Sequence, residues 1–208
     1  MTGKFIVIEG IDGSGTTTQA QLLSNYLFEK DKKNLVFLTR EPTKLSDKGK
    51  ELRRRLAGTL IPGEEVIHDA AYWVDLFVKD REWHLEQFIM PIVKAGGQVI
   101  SDRHKLSTIA YQAAQGYDMD TLIELQKDFY PADLTLLFDL PVAMSMARSG
   151  NREGNPEYFE TVDLQQRIRE CYLVAAEKVT DNVVVIDASQ SIAEVGLAVR
   201  KEVNKLYK

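Results

Sequence analysis

The chain has 208 residues, of which 44% are hydrophobic and 27% are charged. A chain of this length can bury roughly 70% of its unfolded surface, and the composition excludes a disordered tail, a collagen and a disulfide-built miniprotein. The formal charge of −5 argues against a protein that wraps duplex nucleic acid, because such proteins usually carry a basic surplus. It leaves open a small anionic ligand, which needs only a few well-placed cations.

Membrane and export signals are missing from the sequence pattern. No apolar run approaches the about 20 residues needed to span a bilayer, and the first residues lead directly into a strand pattern, unlike a signal peptide. Cys171 is the single cysteine, so an internal disulfide is excluded and a reducing compartment is favoured. We therefore expect a cytoplasmic protein without a membrane or nucleic-acid partner.

Strand patterns alternate with helical patterns along the whole chain. The first strand is predicted at 5–8, where an almost wholly apolar run suggests burial on both faces. Further strand patterns lie at 35–38, 98–101, 134–138 and 183–186, and helical patterns lie near 46–58, 66–94, 107–129, 141–149, 160–180 and 191–206. This alternation predicts a three-layer α/β/α fold around a five-stranded parallel sheet. Because no linker or repeat divides the chain, we expect one domain over 1–208.

A glycine-rich loop follows the first strand and opens the first helix. The phosphate-binding P-loop has the pattern G-x-x-x-x-G-K-[ST]; Gly10, Gly15 and Thr17 are in register with it, but Thr16 occupies the lysine position. The glycines would allow backbone N–H groups to approach phosphate oxygens, the helix adds its positive end, and the Thr17 hydroxyl can bind Mg²⁺. We expect a phosphate site; a glycine-rich turn without a ligand is the alternative.

Thr16 removes the mobile cation that normally follows the β- and γ-phosphates. It could be a tolerated variation, an engineered substitution, or the mark of a protein that binds nucleotide without rapid turnover. The predicted ATP-binding residues of the loop are Gly10, Asp12, Gly13, Ser14, Gly15, Thr16, Thr17 and Thr18.

Charged residues follow two other predicted strands. Arg40 comes after the second strand, and Asp102 and Arg103 come after the third. Ligands of open α/β sheets bind at this edge, where an arginine offers a planar fork to phosphate oxygens. The alternatives are structural: Arg40 could pair with Glu41 on the surface, Asp102 could cap a turn, and Arg103 could pair with a nearby acid.

Two further segments have the chemistry of a nucleotide site. Phe77 and Arg81 are four residues apart and share a helix face, so one could stack on a flat base while the other donates to a carbonyl; a core role for Phe77 is the alternative. The segment 149–158 combines glycine, proline and charge and is typical of a mobile loop. It could be a lid or a plain surface connection.

Taken in order, these pieces resemble the thymidylate kinase family of P-loop nucleoside monophosphate kinases. The resemblance spans nearly the whole chain and departs from the family pattern at Thr16, where the family carries lysine. The segments that carry it are FIVIEGIDGSG at the start, Thr39-Arg40-Glu41-Pro42, Asp102-Arg103-His104, Leu106-Ser107-Thr108, Ala110-Tyr111-Gln112, Pro131-Ala132-Asp133-Leu134, Phe138-Asp139-Leu140-Pro141 and Ile186-Asp187-Ala188-Ser189-Gln190.

The resemblance implies a role for each candidate residue. Arg40 and Arg103 would hold the acceptor phosphate, Phe77 would stack on thymine, and Arg81 would read a base oxygen. Ser107, Thr108 and Gln112 would complete the substrate site, and Tyr111 would crowd the 2′ position of the sugar. Asp12 would lie near the acceptor sugar and phosphate, while Thr17 and Asp102 would hold Mg²⁺. Arg148, Ser189 and Gln190 would line the adenine site, and Arg152 would reach the phosphates from a lid at about 148–160.

The implied activity is transfer of the γ-phosphoryl group of ATP to dTMP, with Asp12, Arg103 and Arg152 as catalytic residues and Mg²⁺ as cofactor. Two alternatives remain: a kinase for another nucleoside monophosphate, and a nucleotide-binding protein of low activity because of Thr16. The resemblance also implies a homodimer, for which the apolar face of the long helix at Ile67, Ala71, Val74 and Phe77 is a candidate interface.

Overall fold

The computed structural model describes residues 3–66, 69–149 and 161–207. Arg152, Ile67 and the lid range from 150 to 160 lie outside the described residues, so the expectations placed on them stay predictions. Within the described ranges, no helix has both the length and the apolar character needed to cross a membrane.

Five strands form one parallel sheet with the order β2-β3-β1-β4-β5, as the alternating pattern predicted. The strands are β1 (Lys4–Gly10), β2 (Val36–Arg40), β3 (Gln98–Asp102), β4 (Leu134–Asp139) and β5 (Val183–Asp187). Because β1 is central and pairs with both β3 and β4, the loop that follows it opens at the middle of the sheet edge, where ligands of this architecture bind.

Helices connect successive strands. They are α1 (Thr16–Lys30), α2 (Asp47–Leu56), α3 (Ala70–His84), α4 (Met90–Lys94), α5 (Lys105–Ala114), α6 (Met119–Glu124), α7 (Val142–Ser149), α8 (Val162–Lys178) and α9 (Ile192–Val203). A π-helical turn at Leu85–Ile89 joins α3 to α4, and a 3₁₀ turn at Asn204–Tyr207 follows α9.

Two of the predicted helical ranges were wrong in extent. The pattern at 66–94 begins only at Ala70, because Asp69 caps that end by accepting a hydrogen bond from the Ala71 amide. The pattern at 107–129 is two helices: Gly116, with φ +98°, ends the first, and Asp118 caps the second. A left-handed glycine is a common helix terminator, and the hydrophobic periodicity alone did not reveal it.

The core lies on both faces of the sheet, which confirms the three-layer arrangement. On β1, Ile6 and Ile8 pack into a cluster with α1 and α9, whereas Phe5 and Val7 pack on the opposite side with the π turn and α4. A third cluster joins α3, α5 and α8, and it buries Val74. Val74 therefore contributes to the interior of this chain and is not part of a free apolar face.

Candidate active site

The phosphate loop between β1 and α1 has a backbone that requires glycine. Gly10 has φ +154°, and a Cβ there would lie 2.6 Å from Ser14 Oγ and 2.9 Å from the Phe138 carbonyl oxygen. Gly15 has φ +93° and occupies the position before α1, whose first turn has neither an acidic residue nor a side-chain cap. The amide groups at the start of α1 therefore have no side-chain acceptor, as expected where an anion binds.

The two threonines at the start of α1 have different environments. Thr16, at the usual lysine position, is buried, whereas Thr17 is exposed. Thr17 Oγ1 donates a hydrogen bond to Asp102 Oδ2 at 2.6 Å. The structure therefore brings together the two residues predicted to hold Mg²⁺, although they are 85 positions apart in the chain.

Asp102 Oδ1 is buried and has no hydrogen-bond partner within the described ranges. An orphaned carboxylate oxygen beside a hydroxyl fits a small oxygen-preferring cation. No group of three or more acidic, histidine or cysteine side chains gathers among the described residues as a metal site. Mg²⁺ commonly takes one or two protein ligands and completes its shell with substrate phosphates and water.

Asp12 links the phosphate loop to α5 and the end of β3. Its Oδ1 accepts from Arg103 Nη2 at 2.6 Å, and its Oδ2 accepts from the Tyr111 hydroxyl at 2.9 Å. The Arg103 guanidinium also lies 5.3 Å from the centre of the Tyr111 ring and donates to Ser107 Oγ at 3.2 Å. Four predicted site residues thus form one connected cluster.

Arg103 has a backbone conformation that most residues avoid. Its φ is +77°, in the left-handed region that costs a non-glycine residue of order 1–3 kcal/mol. Its amide donates to the Ile8 carbonyl at 2.9 Å. Burial alone lowers the pKa of Arg103, but the neighbouring Tyr111 and Asp12 outweigh it and hold that pKa well above its usual value, so the side chain is a fixed cation.

Glu9 holds the start of α5 in place. Its buried carboxylate accepts hydrogen bonds from the His104 amide at 2.7 Å, the Ser107 hydroxyl at 2.5 Å and the Tyr172 hydroxyl at 3.2 Å. Burial raises the pKa of Glu9 above its usual value. No pattern in the sequence indicated Tyr172, which reaches this cluster from α8.

Arg40 and Glu41 are neighbours in the chain with opposite environments. Arg40 is exposed at the end of β2, and the side chain has no hydrogen bond or ion pair among the described residues. Glu41 is 3% exposed and pairs with Arg81. The alternative of a surface pair between Arg40 and Glu41 is therefore wrong, and the free guanidinium of Arg40 stays available at the ligand edge of the sheet.

The arginine run on α2 divides into two kinds of contact. Arg53 donates to the Pro42 carbonyl, which brings a second arginine to the segment after β2. Arg54 and Arg55 instead pair with Glu64, Arg55 at 2.8 Å. Arg53 is therefore the arginine of this run that contacts the segment after β2.

A buried aspartate ties α2 to α3. Asp80 accepts hydrogen bonds from the Thr43 amide at 2.7 Å, from Thr43 Oγ1 at 2.6 Å and from the Ser46 hydroxyl. Gly49 packs directly on this cluster, where a Cβ would lie 2.4 Å from the Thr43 carbonyl oxygen and 2.6 Å from Asp80 Oδ1. The loop after β2 and the start of α2 are therefore fixed to α3.

The predicted base-recognition residues lie on α3 and α5. Phe77 is half-buried and belongs to none of the three apolar clusters, and its role in stacking stays a prediction. Arg81 is 1% exposed, and its Nη2 donates to Thr108 Oγ1 at 3.0 Å and to the His104 carbonyl at 3.0 Å. Arg81 and Thr108 are thus in direct contact.

Two partners of Arg81 were not predicted. Its Nε donates to Glu41 Oε2 at 2.9 Å, and its Nη1 donates to Gln126. Burial raises the pKa of Glu41, but Arg81 and His104 outweigh it and hold that pKa well below its usual value. Because these partners lie 40 and 45 positions away from Arg81, no local pattern could have identified them.

Gln112 is fully buried, and neither polar atom of its amide has a hydrogen-bond partner among the described residues. Buried amides are normally satisfied, so this side chain has unused hydrogen-bonding capacity next to Tyr111 in sequence.

The comparisons with known proteins give a single answer. A family model described as thymidylate kinase matches residues 8–199. The chain belongs to the thymidylate kinase family. It is 42% identical to a probable thymidylate kinase of Thermococcus gammatolerans, over 93% of this chain and 92% of that protein. It is 41% identical to a probable thymidylate kinase of Pyrococcus horikoshii, over 94% and 93%, and 35% identical to the thymidylate kinase of Nitrosospira multiformis over the full length of both.

Membership of the thymidylate kinase family confirms that the chain is an enzyme, a nucleotide-binding transferase. It does not favour the alternative of a nucleotide-binding protein without useful catalysis. The family assignment by itself leaves the role of each site residue as a prediction.

The residues predicted to line the adenine lie near one another. Arg148 Nη1 donates to the Ala188 carbonyl at 3.1 Å, so α7 meets the loop after β5. Ser189 and Gln190 both bond to Asp187, the last residue of that strand. Arg169 makes two hydrogen bonds to Asp139, at 2.6 and 2.9 Å, which gives it a structural partner.

Proposed function

We propose that the protein transfers the γ-phosphoryl group of ATP to dTMP, giving dTDP and ADP. The observation that carries this proposal is Asp12, a phosphate-loop residue bonded to both Arg103 and Tyr111. Because the donor loop and the acceptor residues meet at this carboxylate, the two nucleotides would be held with their phosphates facing each other. The family assignment supports dTMP as acceptor over other monophosphates.

The donor side would be held by Gly10, Gly13, Ser14, Gly15 and the start of α1. Thr17 and Asp102 would hold Mg²⁺, whose chemistry when bound is to neutralise the charge on the donor phosphates. Arg148, Ser189 and Gln190 would contact the adenine. Thr16 and Thr18 complete the proposed ATP contacts, and Arg152 remains a predicted lid cation.

The acceptor phosphate would be held by Arg40 and Arg103. An oxygen of that phosphate attacks the γ-phosphorus, and the bond from the γ-phosphorus to the β–γ bridging oxygen breaks, leaving ADP. The nucleophile is already ionised, so no strong general base is needed. Catalysis then depends on alignment and charge neutralisation, which Asp12 would support by fixing the Arg103 fork.

The base would stack on Phe77 and receive hydrogen bonds from Arg81. Ser107, Thr108 and Gln112 would complete the acceptor site, and the unpartnered amide of Gln112 supports that placement. Tyr111 is held by Asp12, so its ring would stay fixed beside the sugar and exclude a 2′-hydroxyl.

A homodimer in the cytoplasm remains our prediction for assembly and location. Val74 is buried within the chain and Phe77 is assigned to the base, so of the residues predicted for the interface, the exposed Ala71 is the one left on α3. Sedimentation of the purified protein tests the dimer, and a monomer at micromolar concentration would contradict it.

The activity is tested by mixing the purified protein with Mg·ATP and, separately, dTMP, dUMP, dCMP, dGMP or AMP, and resolving the products by chromatography. We expect dTDP to form fastest. Absence of dTDP at high enzyme concentration would overturn the proposal, and faster conversion of another monophosphate would support the alternative kinase.

The variant Thr16→Lys restores the missing cation at the P-loop position. We expect kcat to rise about tenfold, because a P-loop lysine follows the transferring phosphoryl group. Gln21→Lys is the matched control, since it adds the same charge at an exposed site further along α1 and should leave kcat unchanged. An unchanged kcat in Thr16→Lys would show that the missing cation does not limit the rate.

A further inference from the structure

Three side chains surround the carboxylate of Glu41, and together with it they form a cluster of four that the phosphoryl-transfer chemistry does not use. Glu41 Oε1 accepts from His84 Nδ1 and from His104 Nδ1, both at 3.0 Å, and Glu41 Oε2 accepts from Arg81 Nε at 2.9 Å. The exposed fractions of Glu41, Arg81, His84 and His104 are 3%, 1%, 1% and 2%. This Glu41 cluster therefore has almost no contact with solvent.

The directions of the hydrogen bonds in the cluster are fixed by chemistry. An ionised carboxylate only accepts, so both histidines must donate from Nδ1. The Nε2 atom of His84 lies 2.7 Å from Thr39 Oγ1, a hydroxyl that can donate or accept. Glu41 is thus held from two sides by imidazole N–H donors.

Glu41 in turn fixes the plane of the Arg81 guanidinium. The Glu41 contact at Nε, the Thr108 and His104 contacts at Nη2 and the Gln126 contact at Nη1 engage four of the five N–H donors of Arg81. Among the described residues, only the second hydrogen of Nη1 has no acceptor. A guanidinium held in this way cannot rotate to present another donor.

The charge of Arg81 is compensated inside the cluster. The carboxylate of Glu41 pairs with the guanidinium of Arg81, which is the usual requirement for burying a charge. The nearby Arg40 guanidinium has no such partner among the described residues. Arg81 therefore offers a directed N–H donor without a net positive charge, which suits the carbonyl of a neutral base better than a phosphate.

We propose that Glu41 is the positioning residue for base recognition: it fixes the plane of Arg81 and neutralises its charge, so that this part of the site selects a base carbonyl. The proposal rests on the proposed function, because it assumes that Arg81 faces the acceptor base. His84 acts on the base only through Glu41.

The test is equilibrium binding of dTMP, measured by calorimetry on the full chain. Glu41→Gln keeps the shape of the side chain but removes its charge, and we expect the Kd for dTMP to rise about tenfold, the effect of one weakened charged hydrogen bond. The Kd for ATP should change less than about twofold, because the donor site does not contact the cluster. Asp181→Asn is the matched control: it removes the 2.8 Å pair with Lys105 and should leave the Kd for dTMP unchanged.

A double-mutant cycle separates positioning from a general structural effect. In an Arg81→Gln background, Glu41→Gln should raise the Kd for dTMP by less than about twofold, since the group that it positions is gone. Equal effects in both backgrounds, or equal weakening of ATP and dTMP binding, would overturn the proposal.

A second variant keeps the proposal falsifiable if Glu41→Gln fails to fold. His84→Phe preserves a ring and removes one of the two donors to Glu41, and it should raise the Kd for dTMP about threefold only when Arg81 is present. Binding of dTMP to the unmutated chain separates failure of the proposed function from failure of the role given to Glu41. If it does not bind dTMP, the proposed function fails; if it binds dTMP and neither Glu41→Gln nor His84→Phe changes the Kd, the role of Glu41 alone fails.

Discussion

Two arginines near the end of β2 have the same side chain but differ in exposure and in whether an acidic partner balances their charge. Arg40 is exposed and has no partner among the described residues. Arg81 is 1% exposed and is balanced by Glu41, the residue next to Arg40 in the chain. The consecutive residues Arg40 and Glu41 therefore have opposite environments: Arg40 lies at the ligand edge of the sheet, and Glu41 lies in the interior.

The difference explains how one side of a site can bind both a dianion and a neutral ring. An uncompensated guanidinium in contact with water attracts phosphate and aligns it through a planar fork. A guanidinium in the interior whose charge is balanced by a carboxylate donates hydrogen bonds in a fixed direction without adding net charge.

The largest effect is expected on stability. Glu41→Ala leaves the Arg81 cation buried without its partner, so the free energy of unfolding should fall by about 3–5 kcal/mol. Arg40→Ala removes an exposed side chain without contacts and should change that free energy by less than about 0.5 kcal/mol. Urea denaturation followed by circular dichroism measures both, and similar losses in the two variants would contradict the comparison.

A somewhat smaller effect is expected on activity. Arg40→Ala should lower kcat/KM for dTMP about 100-fold, or about 2.7 kcal/mol, because it removes a cation from the acceptor phosphate. Lys201→Gln, an exposed cation on α9, is the control and should leave kcat/KM unchanged. If Arg40→Ala retains more than half of the normal kcat/KM, Arg40 does not bind the acceptor phosphate.

The smallest effect concerns an ion pair near the surface. The hydrogen bond from Arg54 lowers the pKa of Glu64 to about 2. Because the folded pKa lies below the unfolded value, the pair stabilises the fold above about pH 4.5 and loses that contribution as the pH falls toward 2. Glu64→Gln should therefore destabilise the protein slightly at pH 7, far less than Glu41→Ala. Urea denaturation should show the difference from the unmutated chain shrinking as the pH falls below about 4.5 and vanishing below about pH 2.

Features that depend on local pattern and on the alignment of parallel strands could be predicted from the sequence, whereas contacts between distant positions could not. The sheet, the phosphate loop and the strand-end residues Arg40 and Asp102 were predictable, because parallel strands align their carboxyl ends at one edge. The division of the 107–129 pattern depended on the backbone of Gly116, which hydrophobic periodicity does not encode.

The partners of the site residues could not be predicted from the sequence, for a different reason. Glu41 looked like a surface partner of Arg40, and only the three-dimensional approach of α3 and α5 shows that it faces Arg81 and two histidines. Tyr172 reaches Glu9 across 163 positions. Such contacts depend on how helices pack on the sheet, and a single sequence shows no pairing between distant positions.

The tether at Asp80 has a consequence for the entropy of binding. Asp80 and Arg81 are consecutive on α3, and one fixes the loop after β2 while the other contacts the end of that strand through Glu41. The backbone positions after β2, next to Arg40, and the guanidinium of Arg81 are thus held at a set separation before any nucleotide arrives. The conformational cost of ordering them is met during folding, and the acceptor site is preorganised for a ligand of one length.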